Sequence, residues 1–165
     1  MLKYFFLLVF ICLGKIGFSQ TDTTSLYLRF PTLPPFSLTK IPDSSSFTKA
    51  NLKKKKATVI IFFNTDCDHC QAEIKNLTAK IEQLKNVQII MVSAMGFTVL
   101  QRFYEDYKIA DYPNITMARD PNFNFTSFYK AYFVPQVFIY DKNRKFLNVI
   151  RGIVPVEQIS KIINR

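Results

Sequence analysis

The 165-residue chain contains one histidine, three cysteines and no tryptophan. A structural zinc site takes four ligands, and His69, Cys67 and Cys70 are the only soft donors outside the N-terminal segment. This ligand count argues against a metal site, and no cofactor is expected. A scaffold stapled by several disulfides is excluded as well, because with Cys12 set aside a single cysteine pair remains. No repeat period appears. Acidic residues are also scarce, 12 against 22 lysines and arginines, so the formal net charge is +10. Much of that excess lies in the lysine run at 53–56, which reads as a solvated turn. No base-reading motif accompanies it, and a nucleic-acid partner is not expected.

Residues 1–19 have the layout of a secretory signal peptide. Lys3 supplies the positive start, residues 4–13 the apolar core, and Gly17-Phe18-Ser19 a small-x-small cleavage site, with the cut placed before Gln20. Gly14 and Lys15 interrupt the apolar stretch short of the ~20 residues that a spanning helix requires. An uncleaved anchor is the alternative, and would be the chain's one membrane contact. Cys12 follows Ile11, where lipobox sequences place a small residue, so it is expected to leave with the leader. Loss of Lys3 and Lys15 takes the net charge from +10 to +8. The mature protein is expected to be periplasmic or secreted and monomeric. In an oxidising compartment a lone pair of thiols is expected to be reactive.

That pair is Cys67-Asp68-His69-Cys70, placed directly after the apolar run at 59–63 and directly before a segment of helical periodicity. A helix starting near Cys67 puts both sulfurs in its first turn, close enough to close a small disulfide ring. One thiol can then attack while the other resolves. The unpaired N–H groups and positive dipole end of the helix favour a thiolate at Cys67. Cys70, one turn further in, is expected to be more buried. A purely structural disulfide here would close too small a loop to stabilise much.

Around this motif the periodicity switches repeatedly between strand and helix. Residues 20–32 are expected to be an extended lead-in, followed by an edge hairpin from Phe36-Ser37-Leu38 and Phe47-Thr48. Residues 57–63 and 87–93 read as buried strands. Between them Ile74, Leu77, Ile81 and Leu84 predict an amphipathic helix running to about Asn86. A second helical stripe follows at Val99, Leu100, Phe103, Tyr104 and Tyr107, then a short strand at 115–118 and a helix starting at Asp120-Pro121. A hairpin of residues 137–140 and 146–150, and a helix from Pro155, close the chain. This order predicts an α/β fold with a mixed central sheet, helices on both faces and an N-terminal β-hairpin extension.

With these elements in place, the chain from Leu33 onward resembles the exported TlpA/ResA-like thiol-disulfide oxidoreductases of bacteria, which have a thioredoxin-like fold. The residues that carry the resemblance are Pro35-Phe36-Ser37-Leu38, the strand at 59–63, the Cys67/Cys70 motif opening a helix, and Val134-Pro135 before a late strand. The resemblance implies a cis bond at Pro135 beside the reactive sulfur, where the backbone around Val134 pairs with an incoming peptide. It implies protein disulfides or dithiols as substrates and an upstream thiol partner. Glu73 matches an acidic position of that group: buried, it would relay a proton for Cys70; exposed, it is a first-turn glutamate favoured by the helix dipole.

The chain also departs from the family pattern. Thr65-Asp66 replaces the aromatic residue that usually precedes the first cysteine, and no proline separates the cysteines. Asp66 and Asp68 oppose a thiolate at Cys67, whereas a protonated His69 favours it. His69 and Val134 resemble the oxidising DsbA group, and Glu73 the reducing group, so the direction of electron flow stays open. A reductase or isomerase is the main reading, and a DsbA-like oxidant an alternative. A peroxiredoxin-like peroxidase would need a Thr or Ser at 64 and a proline at 60, where Asn64 and Ile60 stand. A non-catalytic binding or copper-handling module is the remaining alternative, but no distal histidine exists for copper.

Overall fold

The computed structural model describes residues 24–165, so the leader expected at 1–19 lies outside the described residues. In chain order the elements are α1 Leu26–Arg29, β1 Ser37–Lys40, β2 Ser46–Thr48, β3 Thr58–Phe62, α2 Asp68–Ala79 and β4 Gln88–Ser93. They continue with α3 Phe97–Asp106, β5 Ile115–Arg119, α4 Asn124–Tyr129, β6 Gln136–Tyr140, β7 Phe146–Arg151 and α5 Val156–Ile163. The strands form one sheet in the order β2-β1-β5-β4-β3-β6-β7. β3, β4 and β5 run parallel, β6 and β7 are antiparallel additions on one side, and the β1–β2 hairpin joins β5 antiparallel on the other.

Side chains alternate across the sheet, and this alternation sorts the core into two layers. Val59, Ile61 and Phe63 pack with Ile74 and Leu77 of α2, Leu100 and Phe103 of α3 and Ile159 of α5. Ile60 and Phe62 face the opposite side, against Tyr27 of α1 and Phe125 and Tyr129 of α4. β3, β4 and β6 are buried at every residue, which explains the apolar runs at 59–62, 89–92 and 137–140 within them. The mixed sheet with helices on both faces is therefore the predicted α/β architecture.

Three elements differ from the sequence reading. The lead-in is not simply extended: Tyr27 of α1 is buried, with its ring 5.0 Å from Phe138 and 5.2 Å from Phe146. The following backbone pairs with the start of β7, through Leu33 N–H to the Arg144 carbonyl and Phe146 N–H to the Pro31 carbonyl. The helix expected to reach Asn86 stops at Ala79. The Thr78 hydroxyl donates to the Ile74 and Lys75 carbonyls, Lys80 leaves helical geometry, and Ile81–Leu84 continues as a 3-10 turn that still buries Leu84. The helix expected at Asp120-Pro121 begins at Asn124, because the Asp120 carboxylate accepts the N–H and hydroxyl of Thr126, both at 2.8 Å. No described helix is long and apolar enough to cross a membrane.

Candidate active site

The site lies where β3 ends and α2 begins. Beyond Phe63 the chain turns at Asn64, whose side-chain oxygen accepts the Asp66 N–H at 3.0 Å. Cys67 then occupies the N-cap of α2 with extended backbone angles, and its sulfur accepts the Cys70 N–H at 3.3 Å. The sulfur thus takes the place of a capping oxygen at the electropositive end of the helix. The same thiol donates toward the Val134 carbonyl at 3.7 Å, and the Val134–Pro135 bond is cis. Two segments 67 positions apart meet at the Cys67 sulfur.

Cys67 is half-buried and Cys70 is buried; both are free thiols. Burial is the main cause that pushes the Cys70 thiol up to about 12, assisted by its hydrogen bond with Cys67 and opposed by the Asn64 backbone. One helical turn further on, Glu73 is only 1% exposed. Its Oε2 accepts the Val154 N–H at 2.8 Å, while Oε1 has no partner among the described residues. Burial pushes this carboxyl up to about 7, and the Val154 N–H pulls it partly back. Glu73 is thus a buried carboxyl and not an exposed first-turn glutamate.

Asp66, Asp68 and His69 all stand exposed. None of them hydrogen-bonds the Cys67 sulfur, which meets the Cys70 N–H, the Cys70 thiol and the Val134 carbonyl. Charges placed in solvent act on the sulfur through a high-dielectric medium, which weakens both the carboxylates and the imidazole.

Several supporting residues carry no sequence signal. Gln71 donates from its side chain to the Thr65 carbonyl at 2.8 Å and so ties α2 to the loop before it. Thr65 directs its N–H and hydroxyl to the Met95 sulfur at 3.4 and 3.0 Å, and the Met95 carbonyl accepts from Arg119 Nε at 2.9 Å. Thr65 and Met95 are 30 positions apart, and no local pattern couples them. Among the described residues, no group of three or more His, Cys, Asp or Glu side chains converges as a metal-ligand set.

A mixed sheet with a dithiol at the N-terminus of the helix that follows its fully buried strand β3 defines a thioredoxin-like fold. The chain belongs to the AhpC/TSA family, whose sequence model matches residues 32–148. Solved structures repeat the fold. StoA from Bacillus subtilis is 18% identical with a TM-score of 0.59, the match covering 80% of this chain and 98% of that one. A secreted Mycobacterium tuberculosis disulfide oxidoreductase is 18% identical with a TM-score of 0.65, covering 78% and 94%. A peroxiredoxin-like protein from Aquifex aeolicus is 20% identical with a TM-score of 0.63, covering 79% and 83%. At these identities the shared property is the fold. No curated protein matches the chain.

Proposed function

We propose that this protein is an exported thiol-disulfide oxidoreductase that reduces or isomerises protein disulfides through Cys67 and Cys70. The observation that carries the reading is the Cys67 sulfur itself: half-buried at a helix N-terminus, beside the Val134 carbonyl, with a buried second thiol one turn behind it. The leader-like sequence at 1–19 supports export. So does the resemblance to oxidoreductases that are described as secreted.

The reaction runs in two exchanges. The Cys67 thiolate attacks one sulfur of a substrate disulfide, a new S–S bond joins enzyme and substrate, and the expelled substrate sulfur leaves as a thiolate that takes up a proton. Cys70 then attacks the Cys67 sulfur, which breaks the mixed disulfide and releases the second substrate thiol. Two electrons have passed to the substrate, and the protein is left with a Cys67–Cys70 disulfide.

Cys70 must lose its proton for the second step, and its burial opposes that loss. Glu73, on the same buried side of α2 and with a carboxyl poised at about 7, is the base that receives the proton. The main chain at Val134 and Pro135 holds the substrate backbone beside the sulfur. An external dithiol donor restores the reduced pair.

Reduction of insulin disulfides, driven by a dithiol reductant, tests the reading. Wild type is expected to accelerate the reaction and Cys67→Ser to abolish the acceleration. Equal rates for the two would refute it.

A further inference from the structure

The end of the sheet opposite the dithiol is strongly basic. β3 and β4 start side by side, with Thr58 paired to Gln88, and β6 ends at Tyr140, also paired to Thr58. The segments before β3 and β4 and the β6–β7 turn therefore share that end. They bring together the four lysines at 53–56, Lys85, and Lys142, Arg144 and Lys145 of the turn. Lys55, Lys85 and Lys142 line one groove there with Glu82 and Asp141. Arg144 donates to the Leu52 carbonyl at 3.3 Å, which joins the turn to the lysine run. The carboxylates of Glu105, Asp106 and Asp111 lie farther along the sheet, around the α3–β5 connection.

The eight cations of these segments thus face only the carboxylates of Glu82 and Asp141. Lys56 and Arg144 are half-buried and the other six are exposed. None of the eight forms an ion pair with a carboxylate among the described residues. Asp141 is engaged instead by its own turn, accepting the Asn143 and Lys145 N–H groups, both at 2.8 Å. Lys55 and Arg144 stand at left-handed positions, φ 58° and 65°, where glycine or asparagine fits with less strain. Turn geometry therefore does not account for cations there. A solvated turn explains the exposure of the lysine run, but not the cations that the fold adds to it from two other segments against their mutual repulsion.

An apolar rim adjoins this basic surface. The lead-in pairs with the start of β7, its Pro31 carbonyl accepting the Phe146 N–H and its Leu33 N–H donating to the Arg144 carbonyl. Just before this pairing Leu28 and Phe30 are 53% and 55% exposed, while Tyr27 between them and the sheet is buried.

We propose that this surface docks the protein on an anionic phospholipid membrane, with the cations over the headgroups and Leu28 and Phe30 entering the interface. Charge alone would also suit an acidic protein or a nucleic acid. Exposed apolar side chains beside the charge, and the export expected from the leader, favour lipid. The contact is separate from the leader itself and goes beyond the thiol-disulfide reading. β3 spans five residues, so the dithiol at its far end stands about 17 Å or more from the membrane and faces away from it.

The chain from Gln20, which contains every described residue, is to be co-sedimented with vesicles of phosphatidylcholine, alone or with about one-third phosphatidylglycerol. Each cation near an anionic surface contributes about fivefold to binding. Partitioning onto the phosphatidylglycerol vesicles is expected to exceed that onto phosphatidylcholine by about a hundredfold or more at low salt, and to fall steeply as salt is added.

In Lys54→Gln/Lys142→Gln/Lys145→Gln this binding should drop about a hundredfold. Lys75→Gln/Arg102→Gln/Arg151→Gln removes the same charge from other faces and should change it by less than about threefold. Leu28→Ser/Phe30→Ser should weaken it by about tenfold. Insulin reduction by the first triple variant should match wild type, since none of its three residues belongs to the dithiol site. Lys54→Gln alone, with a loss of about fivefold, replaces the triple variant if that does not fold.

Equal binding to the two kinds of vesicle overturns the proposal, and so does an equal loss in the two triple variants. Tighter binding to polyglutamate or duplex DNA than to the vesicles, lost in the first triple variant, gives the surface to an acidic polymer and overturns it too. Each of these results leaves the thiol-disulfide reading standing as long as wild type reduces insulin.

Discussion

Glu73 joins chemistry to stability more directly than any other residue of the site. A carboxyl at about 7 in the folded protein, against 4.5 for the free group, holds its proton more tightly when folded. Its contribution is therefore fully present below pH 4.5 and lost as the pH rises through 7. The loss amounts to on the order of 3 kcal/mol, at about 1.4 kcal/mol per pKa unit. Urea denaturation of wild type should show falling stability from about pH 5 to pH 8, and Glu73→Gln should flatten that slope. Parallel slopes would place the titration elsewhere. If Glu73 also takes the Cys70 proton, the same variant should slow insulin reduction by about a hundredfold and accumulate the mixed disulfide on Cys67, seen by intact mass. The two cysteines should also separate chemically. Iodoacetamide at neutral pH is expected to modify Cys67 in the native protein and to reach Cys70 only after denaturation, because Cys70 is fully buried and its thiol is pushed up to about 12. Equal labelling of both, by peptide mapping, would contradict the assignment of attacking and resolving sulfurs.

At the scale of elements, strands with unbroken apolar runs could be read directly, because burial on both faces leaves no polar position to blur them. β3 and β4 are the clearest cases. The end of α2 was not legible. Leu84 keeps the apolar spacing, yet the Thr78 hydroxyl competes for helix carbonyls and the chain tightens to a 3-10 turn. The lead-in is illegible for a different reason. A four-residue helix has no periodicity to detect, and the rings that Tyr27 meets come from α4, β6 and the start of β7, more than a hundred positions away. That contact predicts a measurable role for a segment that looks dispensable in sequence. Tyr27→Ala should lower stability by about 3 kcal/mol in urea denaturation, the ordinary cost of emptying a buried aromatic site. A change within about 0.5 kcal/mol would mean that α1 adds nothing to the core.

At the scale of the whole molecule, the site is an assembly of distant segments around a local motif. Cys67 and Cys70 were legible because three positions and a helix start suffice to define them. The burial of Glu73 was not, since it depends on the Val154 N–H 81 positions away. The same assembly bears on the direction of electron flow, which the sequence left open. A strongly oxidising pair is one whose reduced form is stabilised. Here the resolving thiol is buried and held far above its ordinary range, the Cys67 and Cys70 sulfurs make no hydrogen bond to a cationic side chain among the described residues, and Asp66, Asp68 and His69 are exposed. On the reductase reading proposed above, the dithiol gains thiolate stabilisation from the helix N-terminus and the Cys70 N–H but none from a cationic side chain, and its potential is expected to be reducing. The most direct test is the reduction potential of the Cys67–Cys70 couple, obtained by equilibration with dithiol buffers of known potential and counting of alkylated thiols by mass. A single two-electron transition near the thioredoxin value of about −270 mV is expected. A potential near about −120 mV, or no intramolecular disulfide at any potential, would contradict a reducing dithiol.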